Sequence, residues 1–179
     1  MKKFFTILLG LVAANSAFAS LEAAREKFVA SSNKIELTYM TALDEATADY
    51  MKTLSQQSRT MRSQGNLEAV LEIKNELDRF KKDRDVTEQP PEAPFLQAAH
   101  QRFSAVKKRA QRARDEQAAQ LLTFYVNHLT KLQKQFVQQN KVEAAVAVRQ
   151  EAEKIKAALQ VYQQADAERK KRLAEKRAA

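Results

Sequence analysis

The chain has 179 residues, a formal charge of +9, no cysteine, two glycines and three prolines. Without cysteine there are no disulfide staples, and thiol catalysis, zinc-thiolate sites and iron-sulfur clusters are excluded. So few turn residues, with so much Ala, Leu, Glu, Lys, Gln and Arg, predict long helices rather than a compact mixed fold.

The chain opens Met1-Lys2-Lys3, runs uncharged from Phe4 to Ala14 and reaches Ala17-Phe18-Ala19. Paired lysines, a short apolar core and small residues at the two positions a peptidase reads predict a secretory signal, residues 1–19, cleaved between Ala19 and Ser20. The apolar run is well short of the roughly 20 residues a spanning helix needs, so no transmembrane segment is expected in the mature chain. The expected location is the periplasm or the exterior. Removal of Lys2 and Lys3 lowers the charge to +7, and the remainder is uneven. Residues 21–84 carry 11 basic and 11 acidic side chains, whereas residues 96–179 carry 18 basic against 8 acidic.

A shift of 75 positions aligns the two halves without a gap. Tyr50 meets Tyr125, Leu54 meets Leu129, Met61 meets Phe136, Glu68 meets Glu143, Ala69 meets Ala144, Ile73 meets Val148, Glu76 meets Glu151 and Phe80 meets Ile155. Upstream, Leu21, Ala24 and Phe28 meet Leu96, Ala99 and Phe103. A fixed register of this kind predicts an internal duplication. The expected divisions are a first helical hairpin over 20–84, an acidic proline-rich linker over 85–95, a second hairpin over 96–162 and a basic helical tail over 163–179.

In the first hairpin, Leu21, Ala24, Phe28, Ile35, Tyr39, Ala42, Ala46, Tyr50, Leu54 and Met61 recur at helical steps, predicting one long helix with a single apolar face. Gly65 suits the left-handed position that ends it, Asn66 can cap the next helix, and Glu68 sits in that helix's favourable first turn. The return helix shows Ala69 or Val70, Ile73, Leu77 and Phe80. The second hairpin turns at Asn140 and Lys141, asparagine being the other residue that tolerates the left-handed conformation. Its return helix carries Ala145, Val148, Ala152, Ile155, Leu159 and Tyr162, the alternating three and four steps of a coiled-coil seam. The fold class expected is all-α, an elongated helical bundle or coiled coil built from two tandem long-short hairpins.

Pro90, Pro91 and Pro94 interrupt any helix through the linker, predicting a stiff extended connector. Such a connector would let the third helix start beside the first and run parallel to it, with both hairpin tips at one end; two hairpins joined end to end is the alternative. After Tyr162 the apolar seam fades, and the tail is expected to be a solvated, fraying basic helix.

The segments Gly65–Leu77, GNLEAVLEIKNEL, and Asn140–Ala152, NKVEAAVAVRQEA, each preceded by a Tyr-x3-Leu element, resemble a helical-hairpin repeat of exported bacterial proteins of unassigned function. The resemblance covers about 32 residues of each copy and implies the hairpin fold and export; it carries no catalytic residues. The second copy departs from the pattern with Asn140 in place of glycine. In physical type only, small, basic and exported, the chain is similar to the trimeric periplasmic holdase chaperone with helical tentacles. That family's strand-built body has no counterpart in this sequence.

Residues able to do chemistry are few. His100 aligns with Arg25 and His128 with Thr53, so neither is a repeated feature, and surface positions are expected for both. The di-metal bundle pattern needs Glu-x-x-His on two helices, which is absent, and no phosphate loop or nucleophile motif occurs. No catalytic residue, cofactor or metal is expected. Tyr50 and Tyr125 are read as seam rings with the hydroxyl at the edge. Lys74 with Asp78 and Arg149 with Glu153 are read as surface ion pairs. Two basic runs stand out: Lys107, Lys108, Arg109, Arg112 and Arg114, with Val106, Ala110 and Ala113 marking the packed side, and Arg169, Lys170, Lys171 and Arg172. A solvated face is the commonest meaning of such runs; contact with an anionic envelope polymer or lipid headgroups is the functional one. Nucleic acid fits the charge but not export. The function expected is an exported, non-catalytic structural or interaction module with a protein partner. The alternatives are a holdase-like chaperone or a binder of anionic envelope polymers. Alanine-rich seams at Ala110, Ala113 and Ala118 leave room for a homo-oligomer.

Overall fold

The computed structural model describes residues 16–87 and 89–178. The basic and apolar parts of the expected signal, residues 1–15, lie outside the described residues. Four helices make up the described chain: α1 (Ser16–Ser63), α2 (Leu67–Asp83), α3 (Pro94–Gln138) and α4 (Val142–Ala178). The fold is an all-α helical bundle.

Both tight turns are built alike. At the first, Gly65 has φ 69°, its N–H donates to the Arg62 carbonyl at 3.1 Å, and the Asn66 N–H donates to the Met61 carbonyl at 3.0 Å. At the second, Asn140 has φ 57°, its N–H reaches the Val137 carbonyl at 3.1 Å, and the Lys141 N–H reaches Phe136 at 2.9 Å. This pair of bonds is the Schellman closure, which satisfies carbonyls the helix end leaves open. Asn66 then caps α2 by accepting from the Ala69 N–H at 3.1 Å, with Glu68 in the first turn. α2 ends at Arg84, itself left-handed at φ 54°, whose N–H returns to the Phe80 carbonyl at 2.8 Å.

The chain divides into two compact units that do not coincide with the two sequence copies. The first unit is residues 32–118; the second joins residues up to 31 with those from 119 onward. The first unit therefore holds the hairpin of copy one together with the leading segment of copy two. Its core is Ala46, Tyr50, Leu54, Ile73, Phe80, Leu96, Ala99 and Phe103. In the second unit the relation is reversed: Leu21 and Ala24 from the start of copy one are buried with Tyr125, Leu129, Leu132, Phe136, Ala144, Ala145, Val148 and Ala152. Each hairpin leaves one side of its seam open, and the leading helix of the other copy closes it.

Within the first unit α3 runs antiparallel to α1, which corrects the parallel arrangement expected from the linker. Gln57 Nε2 donates to the Phe95 carbonyl at 2.6 Å, Arg102 pairs with Asp49 at 3.2 Å, and the Arg114 guanidinium lies 4.5 Å from the Tyr39 ring centroid. Descending α1 thus means ascending α3. The linker does not stride away toward the start of α1 because its backbone is tied to the helices of its own unit. Arg79 Nη1 donates to the Asp85 carbonyl at 3.0 Å, Asp85 pairs with Lys107, and His100 Nε2 donates to the Thr87 carbonyl at 2.8 Å. Asp85 lies at Lys107 and Thr87 at His100, so the linker begins by doubling back along the first turns of α3.

Two further expectations change. The packed side of α3 in this unit runs through Phe103, Lys107, Ala110 and Arg114, while Val106 and Ala113 are exposed. The stems of Lys107 and Arg114 line the seam with their heads paired at its edge, so a basic residue here does not mark the solvent side. The surface ion pairs also differ. Asp78 pairs with Lys81 at 3.6 Å and Glu153 with Lys156 at 3.5 Å, the same i, i+3 pair at the same place in each copy.

Candidate functional site

The duplicated polar residues converge at one place in each unit. In the first, Tyr50 Oη donates to Glu76 Oε1 at 2.7 Å, and Arg79, one turn along α2, grips the same carboxylate through Nη2 at 2.7 Å and Nε at 2.8 Å. The Tyr50 ring sits 4.5 Å from Phe80 and 5.5 Å from Phe103, and those two rings meet edge to face at 5.2 Å. In the second, Tyr125 Oη donates to Glu151 Oε1, and the guanidinium comes from α1: Arg25 Nε donates to Glu151 Oε2 at 2.6 Å. Phe28 stacks on Tyr125 with centroids 4.5 Å apart. Tyrosine and glutamate stand 26 residues apart in both copies, so the hydroxyl pins each return helix to its long helix at the same height.

The cation is where the copies diverge. Position 79 of copy one is Lys154 in copy two, an exposed residue, and position 25 of copy one is His100 in copy two. His100 is 4 % exposed, not at the surface as expected; freed from gripping a carboxylate, its ring turns to the linker carbonyl of Thr87. His128 is exposed.

Burial, reinforced by the carboxylate beside each, pushes both tyrosine hydroxyls well above their ordinary value of 10.0. Burial also pushes the Glu76 carboxyl up, but the hydrogen bonds from Arg79 and Tyr50 outweigh it and hold the group below its usual range. Bonding to their glutamates raises Arg79 and Arg25 further. An ionised carboxylate with both oxygens occupied is a fastening between helices rather than a proton acceptor. Among the described residues no cluster of three or more His, Asp or Glu could hold a metal ion.

The nine basic residues separate into distinct groups. Lys107 is held by Asp85, and Arg114 by Asp115 at 2.9 Å and the Tyr39 ring. Lys108, Arg109 and Arg112 lie on the side of α3 opposite its seam, and none of the ion pairs among the described residues involves them. In the tail, which is helical to Ala178, Asp166 pairs with Arg169 and with Lys170 at 2.7 Å, and Arg172 approaches Glu168 at 4.0 Å. Lys171 is exposed.

A second duplicated feature lies on the outer side of the return helices. Leu67 and Leu71 are 69 % and 50 % exposed, and their counterparts Val142 and Val146 are 66 % and 48 % exposed. At i, i+4 each pair forms a short aliphatic ridge just past its tight turn. Sequence reasoning passed over both features, although the signal for the first was present. Tyr50 with Tyr125 and Glu76 with Glu151 recur at one spacing, and a glutamate repeated in mid-helix is not explained by the helix dipole. Among the described residues no helix is long and apolar enough to cross a membrane. No family model matches the chain, and neither a curated protein nor a solved structure does.

Proposed function

We propose that this chain is an exported, non-catalytic helical module that binds a protein partner of the cell envelope or exterior through the outer side of its return helices. The observation that carries this reading is the aliphatic ridge present twice at the same alignment positions, Leu67/Leu71 and Val142/Val146, exposed in both copies. The duplicated Tyr50–Glu76 and Tyr125–Glu151 pairs face inward and hold helices together, whereas the ridge is a duplicated apolar feature that faces outward. Single exposed aliphatics are ordinary, but a contiguous apolar pair rimmed by polar residues and repeated in both copies has the form of a contact surface. The expected export signal and the resemblance to the exported hairpin repeat support the location.

Site-specific photo-crosslinkers at residues 71 and 146 in the producing cell test it. One and the same adduct is expected from both positions, absent from probes at the exposed long-helix positions Arg59 and Lys134 and abolished by Leu67→Glu with Val142→Glu. No discrete adduct from either position would sink the reading. A holdase would instead give a ladder of many adducts and suppress aggregation of an unfolded envelope protein at near-stoichiometric ratio.

A second reading has its own observation. Lys108, Arg109 and Arg112 point away from the α3 seam and take part in no ion pair among the described residues, a local excess of positive charge suited to an anionic envelope polymer or lipid headgroups. At about 1 kcal/mol per charge three residues give only weak binding, so the tail cations would have to contribute. Retention on a polyanion column at low salt, unchanged by reversing all three charges, would dismiss it.

A further inference from the structure

Each hairpin accepts a helix from outside its own copy, and the two docked helices share a pattern: Leu21-x2-Ala24-Arg25-x2-Phe28 on the second hairpin and Leu96-x2-Ala99-His100-x2-Phe103 on the first. The hairpin is therefore a helix-binding groove, seen twice with two different occupants. Two near-equivalent helices and two near-equivalent grooves allow four pairings, and the cations select among them. Helix 21–28 in the first groove would bring Arg25 to Glu76, which Arg79 already neutralises. Helix 96–103 in the second would leave Glu151 without its guanidinium, since exposed Lys154 stands where copy one has Arg79. Only the observed pairings give each half-buried glutamate one arginine.

We infer that the second groove also takes residues 20–31 of another copy of this chain, giving a reciprocally exchanged dimer selected by Arg25 on Glu151. The occupant the groove fits residue by residue is Leu-x2-Ala-Arg-x2-Phe, and within this sequence that pattern occurs at 21–28 alone. This helix continues into the first unit at Ser31-Ser32-Asn33, three consecutive weak helix formers at the boundary between the compact units. Helix 96–103 has no such freedom, because His100 ties it to the linker that precedes it. An exchanged dimer repeats every contact inside the second unit. The closed monomer competes through effective concentration, of the order of millimolar for a short connection, so exchange grows with protein concentration.

Charge reversal separates the two forms. Arg25→Glu alone and Glu151→Arg alone each place like charges together, in the monomer and in the homodimer. Mixed, they restore both grooves of an exchanged heterodimer: the two substituted side chains meet as an inverted charge pair in one groove, and the native Arg25 and Glu151 meet in the other. The two mature variants are unfolded together in urea, refolded and sedimented, beside each alone and beside the double variant R25E/E151R. The expected result is at least about tenfold more dimer from the mixture than from either variant alone, the equivalent of restoring one charge pair, with the double variant folding and mostly monomeric. Co-refolding keeps the test decisive even where a single variant does not fold alone. A mixture that sediments as monomers or aggregates overturns the inference, and a double variant no better folded than the singles overturns the selecting role of Arg25 and Glu151.

Discussion

The two units solve one packing problem with different cations, and the difference shows which parts of the duplicated hairpin are fixed. Both keep a buried tyrosine donating to a glutamate 26 residues on. The first unit draws its arginine from the same helix as the glutamate and surrounds the tyrosine with two phenylalanines; the second draws it from the docked helix and has Ile155 where the first has Phe80. The hydroxyl–carboxylate bond sets the height at which two helices meet, and one spacing serves both copies. The guanidinium has only to reach the carboxylate, so either neighbour can supply it. In the second unit the charge pair also holds the docked helix, and in the first it does not.

The aromatic difference should give the largest effect. Phe80 is fully buried between Tyr50 and Phe103, and Phe80→Ala is expected to destabilise the first unit by about 3–5 kcal/mol. Ile155 is only partly buried, so Ile155→Ala in the second unit should cost about 2 kcal/mol, at the low end for such a truncation. Urea unfolding followed by hydrogen exchange assigns each loss to its unit. Equal losses would mean the second core is as tightly built as the first.

Exchanging the source of the cation sharpens the comparison further. Arg25→His gives the second unit the residue that docks at this position in the first, and it should lose about 2 kcal/mol, the worth of a hydrogen bond to a part-buried charge. Adding Lys154→Arg places a guanidinium one turn from Glu151, as Arg79 stands to Glu76, and should recover about half or more of that loss while changing the otherwise native chain by less than about 0.5 kcal/mol. If Lys154→Arg rescues nothing, the two units are not variants of one design.

The helices, the turns at Gly65 and Asn140 and the seam of each return helix were legible in the sequence because period and capping are local properties. What closes each seam was not. The ungapped shift implies that each copy folds on itself, yet the two helices of each hairpin leave one side of their shared seam open. The leading helix of the other copy supplies the missing side. The linker misled for a related reason. Its prolines predict stiffness, but its direction is set by Arg79, His100 and Lys107 holding Asp85 and Thr87, contacts between residues that no spacing rule links. His100 reads as a surface residue because it is not a feature of the repeated unit. Its burial goes with its bond to the Thr87 carbonyl of the linker, a contact that no repeat spacing encodes.

The tyrosines should behave alike where the cations differ. Tyr50→Phe and Tyr125→Phe each remove one hydrogen bond to a charged group and are expected to cost about 1.5 kcal/mol at neutral pH. Both hydroxyls have folded values above the unfolded 10.0, so their contribution is complete below pH 10 and declines as pH rises beyond it. The native chain should therefore lose stability above pH 10 more steeply than the Tyr50→Phe, Tyr125→Phe double variant. Parallel curves would show that the hydroxyls ionise without reference to folding.

The smallest expected effect lies at the turns, where the two copies differ by one residue in one backbone conformation. A Cβ at Gly65 would meet nothing within 4 Å, so the cost of Gly65→Ala is that of placing alanine at φ +69° alone, about 1 kcal/mol. Gly65→Asn should cost less, because asparagine occupies the same position at φ 57° in the second turn and its short amide tolerates left-handed backbone. Asn140→Gly relieves residual steric strain but loosens the unfolded chain, and these opposed terms leave a net change within about 0.5 kcal/mol. Thermal unfolding of the three variants should rank them Asn140→Gly, Gly65→Asn, Gly65→Ala from least to most destabilised. Were Gly65→Asn as costly as Gly65→Ala, the Schellman geometry shared by the two turns would not be a shared energetic requirement, and the first turn would need glycine for a reason beyond its dihedral angle.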